Sequence, residues 1–133
     1  MNSRYDGAVD ALATRIVDHD GVAIVVLTGE VDMATEADPL AGAIAAVQRA
    51  SAGLVIDLNA VTFFGSSGIN LLVAARQHAR LMGVPFAVVA DQPTVLKPLA
   101  ITGMDACLAL FPSVPDALAG IRAQPSVPPQ SRR

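Results

Sequence analysis

One stretch, residues 54 to 82 with the sequence LVIDLNAVTFFGSSGINLLVAARQHARLM, constrains the fold more than any other part of the chain. It begins with an apolar run broken only by Asp57, which is the pattern of a strand buried on both faces of a parallel sheet. We therefore expect Asp57 near the exposed end of this strand. After Gly65-Ser66-Ser67-Gly68 the apolar residues recur at helical spacing, so a helix should begin at or just after the serines. One serine could cap that helix while the other faces outward.

The sequence before this stretch predicts a hairpin and a helix. Apolar runs at 13–18 and 22–28 are separated by His19-Asp20-Gly21, and Asp-Gly between two such runs is a strong hairpin signal. Asp38-Pro39 suits the N-cap and first position of a helix, because the amide proton that proline lacks would be unpaired there anyway. This helix should continue to about residue 50.

The sequence after the stretch predicts two more strands, at 84–90 and 107–111, and two more helices. A short helix should start near Thr94 or Val95, which places Pro98 in or just past its first turn. A final helix at 114–123 follows Ser113, which is a suitable cap. Strands that alternate with helices through short links predict an α/β fold. Its sheet should be mixed and mostly parallel, with an opening β-hairpin and about four helices.

Length and composition indicate one domain with an aliphatic core. The chain has 133 residues, of which 53% are hydrophobic but only 4% aromatic, so Ala, Val, Leu and Ile must build the core. We expect a loose N-terminal segment at 1–11, a folded domain at 12–123 and a disordered, Pro-rich tail at 124–133.

Charge, hydropathy and cysteine content exclude several classes of function. The net charge is -3, and Arg132-Arg133 is the only cluster of basic residues, so nucleic acid is not an expected partner. The mean hydropathy is +0.50, but the longest apolar runs fall far short of the roughly 20 residues that a membrane-spanning helix needs. The N-terminus lacks an apolar signal region, so a cytoplasmic location is expected. Cys107, the only cysteine, excludes an internal disulfide and a multi-cysteine metal site.

Two motifs resemble those of a known family. Residues 57–69, DLNAVTFFGSSGI, resemble the signature D-L-x-x-V-x-F-[ML]-D-S-S-G-[LI] of STAS domains of the anti-sigma factor antagonist type. Gly29-Glu30-Val31-Asp32, followed by Thr35, is similar to an earlier block of the same family, and the two motifs stand in the expected order and spacing. The resemblance spans about residues 12 to 122. It implies a STAS-type sandwich with the element order β-β-α-β-α-β-α-β-α.

The resemblance also implies a regulatory function without a cofactor or catalysis. In this family a partner kinase phosphorylates the first serine of the pair, which is Ser66 here, and Gly65 stands where the family usually has Asp. The partner is an anti-sigma factor that is also a serine kinase with an ATPase fold of the histidine-kinase type. The unmodified antagonist captures it and frees a sigma factor, phosphorylation ends the capture, and a PP2C-type phosphatase can restore it. The partner-binding residues implied are Glu30, Asp32, Thr35, Asn59, Thr62, Phe64, Gly65, Ser66, Ser67, Gly68 and Asn70.

Two other interpretations of the serine motif compete with this one. Both serines could be ordinary helix-capping and turn residues. Alternatively, the domain could be an unphosphorylated STAS scaffold subunit of a transport ATPase or another signalling complex, which the glycine at position 65 favours.

An enzymatic interpretation has weaker support. A G-x-S-x-G nucleophile motif starting at Gly65 would need glycine where Ile69 stands, and the sequence contains no P-loop, although weak nucleotide binding at the helix terminus stays open. Glu30 and Asp32 could be read as an acid/base pair, but loop capping or partner contact fits them better. His19 and His78 are expected to be solvated.

Overall fold

The computed structural model of the protein describes residues 13–31, 45 and 52–123. These residues form a five-stranded sheet and three α-helices. The strands are β1 (Ala13–His19), β2 (Val22–Val31), β3 (Gly53–Phe64), β4 (Phe86–Val89) and β5 (Leu110–Phe111). The helices are α1 (Ser66–Met82), α2 (Pro93–Thr102) and α3 (Val114–Ala123), and a 3-10 helix spans Met104–Ala106.

The strand order is β1-β2-β3-β4-β5, so each strand lies beside the one that precedes it in the chain. The hairpin strands β1 and β2 are antiparallel, whereas β2, β3, β4 and β5 run parallel to their neighbours. This arrangement confirms the predicted α/β class and the mixed, mostly parallel sheet. The carboxyl ends of β2 to β5 therefore point in the same direction, and the segments that follow them leave the same end of the sheet.

The opening hairpin turns at the predicted Asp-Gly pair. Asp20 and Gly21 both have positive φ, 53° and 87°, as the central residues of a type I′ turn require. The Asp18 carboxylate accepts a hydrogen bond from the Gly21 amide at 3.1 Å and supports the turn from within.

The two faces of the sheet have separate cores, because alternate residues of a strand point to opposite sides. On one face α1 and α2 pack against the sheet, with Leu72 and Leu99 fully buried beside Ile56. On the other face α3 packs through Ile121 against Val55. Both α1 and α2 lie on the same face, as two successive right-handed crossovers in one direction require.

Asp57 lies in the middle of β3 and is half-buried, so its expected position at the exposed strand end was wrong. The strand continues to Phe64 because β2 itself extends to Val31 and supplies backbone partners as far as that pair. The length of a neighbouring strand decided where β3 ends, and this length cannot be read from the apolar run alone.

The structure corrects two predictions for the C-terminal part of the chain and confirms a third. Helix α2 begins at Pro93, slightly earlier than expected, so Pro98 lies inside the helix beyond the first turn. The predicted strand at 107–111 is reduced to Leu110–Phe111, because the exposed Cys107 is the C-cap of the 3-10 helix and has helical backbone angles, φ -101° and ψ -10°, instead of extended ones. The final helix is confirmed at Val114–Ala123, and Ser113 caps it by accepting a bond from the Asp116 amide at 3.3 Å.

Several sequence predictions fall outside the described residues. They are the loose segment at 1–11, the Pro-rich tail at 124–133, and the helix that opens with Asp38-Pro39, of which only the helical Ala45 is described.

Candidate functional site

The site is built on the part of β3 that continues past its neighbour β4. Pairing between these strands ends at Asp57 and Val89, whereas β3 stays paired with β2 as far as Phe64. The β2–β3 register shifts twice along this extension, so β3 carries an extra residue at each shift. The chain therefore reaches Gly65 and Ser66 beyond the carboxyl end of β4.

Ser66 is exposed and is the first residue of α1, so the helix begins at the serines as predicted. The N-cap, however, is Gly65, whose carbonyl accepts bonds from the amides of Gly68 at 3.0 Å and Ile69 at 3.3 Å. The expectation that a serine caps this helix was wrong, because Ser66 already lies within its first turn. The first turn contains no acidic residue, so no carboxylate of its own offsets the positive end of the helix dipole.

Tight packing holds the start of α1 in place. Ser67 is only 3% exposed, and Phe64 only 4%. A Cβ atom added to Gly68 would lie 2.3 Å from Cε1 of Phe64, so only glycine lets the helix approach this ring so closely. The two serines are therefore not equivalent: Ser67 is turned into the protein, and Ser66 is presented to solvent.

An exposed aromatic ring lies against Gly65, the residue before Ser66. Phe63 is 51% exposed, and a Cβ atom on Gly65 would come within 3.3 Å of its ring. The backbone of Gly65 is extended, with φ -104°, so other residues could adopt its conformation; the nearby ring is what limits space there. One turn and two turns further along α1, Asn70 and Val73 are also exposed. We call Phe63, Ser66, Asn70 and Val73 the outer stripe, and none of its four side chains is charged.

Side-chain amides secure the chain just before the outer stripe. Asn59 donates from its backbone amide to Oδ1 of Asp57 at 3.0 Å and from Nδ2 to the Pro112 carbonyl at 3.1 Å. Nε2 of Gln92 donates to the carbonyl oxygens of Leu58 at 3.3 Å and Val61 at 2.7 Å. Gln92 was not among the sequence candidates, and its only local signal is its place before a proline that starts a helix.

The remaining sequence candidates are distributed as follows. Thr62 is exposed on β3, and Glu30 is half-buried on β2, where it pairs with Phe63 of β3. Asp32 and Thr35 lie outside the described residues.

The two histidines differ in their surroundings. The His19 side chain is 49% exposed, as expected. His78 is only half-buried as a residue, yet among the described residues its Nε2 is a buried atom with no hydrogen-bond partner, so the expectation that it is solvated was wrong.

Within residues 13–31 and 52–123, no cluster of three or more His, Cys, Asp or Glu side chains could hold a metal ion. In the same part of the chain, no helix has both the length and the apolar character to cross a membrane.

Comparison with known proteins shows the family of the chain. The family model described as STAS domain matches residues 13–117. Anti-sigma-F factor antagonist RsfB from Mycobacterium tuberculosis is 38% identical over 116 residues, which are 86% of this chain and 93% of RsfB. The crystal structure of an anti-sigma factor antagonist from Mycobacterium paratuberculosis is similar with a TM-score of 0.77 and 37% identity, covering 86% of this chain and 97% of that one.

A more distant structure shares the fold. The phosphorylated form of the Bacillus cell fate determinant SpoIIAA matches with a TM-score of 0.64 and 18% identity, over 83% of this chain and 100% of that chain. The match to the domain model over most of the chain, together with the identity to RsfB, shows that the chain belongs to the STAS domain family, of the anti-sigma factor antagonist type.

Proposed function

We propose that the protein is a cytoplasmic anti-sigma factor antagonist that captures an anti-sigma factor through the outer stripe and loses this partner when Ser66 is phosphorylated. It is a regulatory binding protein and not an enzyme. The observation that carries the proposal is the exposed Ser66 at the start of α1, preceded by Gly65, against which the exposed ring of Phe63 lies. The similarity to RsfB, itself named an anti-sigma-F factor antagonist, supports it.

The position of Ser66 suits a phosphoryl group. Phosphorylation adds about -1.5 to -2 charge at neutral pH, and the N-terminus of a helix favours negative charge through its dipole and its unpaired amides. Gly65 brings no carboxylate to compete with the phosphate for these amides. Because Ser66 is already exposed, the modified chain keeps its core packing, and the domain should remain folded.

Phosphorylation then acts on the interface. The outer stripe is uncharged and includes a large apolar ring, so a partner can cover it at small desolvation cost. A doubly charged, strongly hydrated phosphoryl group on the outer stripe makes desolvation of this surface costly, unless the partner supplies basic groups that pair with it. The switch therefore changes the affinity for the partner and leaves the architecture unchanged.

The residues of the two motifs take different parts in this proposal. We assign contact with the partner to Thr62, Gly65, Ser66 and Asn70, because Thr62, Ser66 and Asn70 are exposed and Gly65 directly precedes Ser66. Phe64, Ser67 and Gly68 are buried and contribute by holding the start of α1. Glu30, Asp32, Thr35 and Asn59 remain proposed contributors to binding, with Asn59 already engaged through its bond to Pro112.

The partner proposed is an anti-sigma factor with a histidine-kinase-type ATPase fold, which transfers phosphate from ATP to the Ser66 hydroxyl. A PP2C-type phosphatase would return the protein to its binding form. Neither nucleic acid nor a membrane has a part in this cycle.

The test compares partner binding by wild type, Ser66→Ala and Ser66→Glu, measured by calorimetry with the purified anti-sigma factor. We expect Ser66→Ala to bind like wild type and Ser66→Glu to bind at least about tenfold more weakly, a loss of about 1.4 kcal/mol. The melting temperature of Ser66→Glu should equal that of wild type or exceed it slightly, since an acid in the first turn is favourable. Ala100→Glu, which adds one carboxylate on the exposed side of α2, is the matched control and should bind normally.

A second measurement locates the modification. The protein is incubated with the kinase and ATP, and its peptides are mapped by mass spectrometry; one phosphate is expected, on Ser66.

Equal binding by wild type, Ser66→Ala and Ser66→Glu would discard the switch. Absence of phosphate together with stable copurification with an ABC-type ATPase would support the scaffold subunit instead.

A further inference from the structure

The carbonyl groups of Leu58 and Val61 accept hydrogen bonds from a side chain. Both residues lie on β3 beyond the last pair that it forms with β4, so within the described sheet β4 cannot supply amides to them. The side-chain amide of Gln92, at the N-cap of α2, donates to both oxygens, at 3.3 Å and 2.7 Å. A single glutamine thus replaces the backbone donors that a longer β4 would have offered.

These two bonds span an irregular part of β3. Val26 pairs with Asp57 but Thr28 pairs with Ala60, so β3 has one residue too many between these pairs. A bulge of this kind interrupts the regular ladder of hydrogen bonds and bends the strand. The ladder alone therefore constrains the backbone less at this point. Leu58 and Asn59 both lie opposite Leu27 in this bulge, and Val61 lies just after it. Gln92 therefore bonds to one carbonyl within the bulge and to one beyond it.

The surroundings of these bonds make them hard to replace. Both bonds are partly buried, and the residues Leu58 and Val61 are 0% and 2% exposed. Water reaches a partly buried acceptor less easily than an exposed one, so loss of the donor leaves these carbonyl groups poorly satisfied. The bond from Asn59 to Pro112 is exposed, and water can substitute for it.

If Val61 moves, packed side chains would transmit the displacement to the start of α1. Val61 and Phe64 belong to the same buried cluster, and Phe64 lies directly against Gly68 in the first turn of α1. Phe63 and Ser66 flank this buried ring in the chain.

We propose that Gln92 is a positioning residue, which holds the bulged end of β3 so that Phe63 and Ser66 are presented in the arrangement that the partner binds. This inference rests on the proposed function for its partner, but its structural part can be measured without one. In this proposal Gln92 acts through its bonds to Leu58 and Val61, and its effect passes along the segment from Leu58 to Ser66.

The test uses Gln92→Met, which keeps the length of the side chain and removes the donor, and Gln92→Lys, which restores a donor. Thr102→Val is the matched control, because the single hydroxyl proton of Thr102 is shared between two carbonyls, those of Pro98 at 2.8 Å and Leu99 at 3.2 Å from Oγ1, at the other end of the same helix. Amide hydrogen exchange of the peptide covering 58–65 is measured first. We expect about tenfold faster exchange in Gln92→Met, substantial recovery in Gln92→Lys, and no change in Thr102→Val.

Phosphorylation kinetics with the kinase are measured second. Gln92→Met should raise KM for the protein about fivefold with kcat within about twofold, because the docked kinase holds the segment in place of Gln92. Unchanged exchange at 58–65 in Gln92→Met, or the same increase in Thr102→Val, would overturn the positioning role. A wild-type protein that accepts no phosphate would instead reject the proposed function and the part of the inference that concerns the partner, and the exchange result would still decide whether Gln92 holds the segment.

Discussion

The contact between Gly68 and the ring of Phe64 gives the sharpest prediction, for the change Gly68→Ala. The new Cβ would lie 2.3, 2.5 and 2.8 Å from Cε1, Cδ1 and Cζ of this ring. Carbon atoms in contact are separated by about 3.5–4.0 Å, so the ring or the helix must retreat by more than about 1 Å. Phe64 is only 4% exposed and lies in the main buried cluster, so the ring cannot swing into solvent.

The magnitude follows from two opposed terms. Overpacking a well-packed core costs about 1–3 kcal/mol, and we expect the upper end because the clash involves three ring atoms. Alanine in place of glycine inside a helix returns about 1 kcal/mol. The net loss in the free energy of unfolding is then about 2 kcal/mol, which corresponds to a melting temperature about 8 °C lower for a domain of this size.

The assay is thermal unfolding followed by circular dichroism, with Gly120→Ala as the matched control. A Cβ on Gly120 would lie 2.2 Å from Cζ of Phe111, but Gly120 and Phe111 are both half-buried on the opposite face of the sheet. That ring has room to move, so we expect a smaller loss, and partner binding should be normal. In Gly68→Ala partner binding should weaken as well, because α1 carries Ser66 at its start.

A double-mutant cycle isolates the contact. Phe64→Leu removes the ring atoms that the new methyl group meets, so Gly68→Ala should cost about 1 kcal/mol or more less in that background than in wild type. A melting temperature for Gly68→Ala at or above that of wild type would refute the reasoning, as would strict additivity in the cycle.

Further predictions concern the cap, a buried nitrogen and the core. Gly65→Asp should raise the free energy of unfolding by about 0.5 kcal/mol through an added N-cap, since the half-exposed ring of Phe63 can yield; a lower melting temperature would show that the ring cannot move. His78→Leu removes the buried Nε2 that lacks a partner and should stabilise the domain by about 1 kcal/mol in urea unfolding, whereas destabilisation would mean that this nitrogen is satisfied in solution. Leu99→Ala, at a site with 0% exposure, should cost about 2–5 kcal/mol by the same measurement, and a loss below 1 kcal/mol would contradict the packing of α2 on the sheet.

The sequence by itself determined the order and type of most described elements, because these depend on local signals. Asp20-Gly21 specified the hairpin turn, Gly83 the end of α1 in the left-handed conformation, and Ser113 the start of α3. The motif at 57–69 also identified Ser66 as the candidate residue at the start of a helix.

Only the tertiary structure decided how the site is supported. The extent of β3 past Asp57, the burial of Ser67 beside the exposed Ser66, and the bonds from Gln92 to a strand more than 30 residues away follow from how the elements pack. A local pattern reports the preferences of neighbouring residues, whereas the partners of a carbonyl beyond the end of a shorter strand depend on which distant side chain the fold brings there. For this reason Gln92 could not be recognised from its position before a proline.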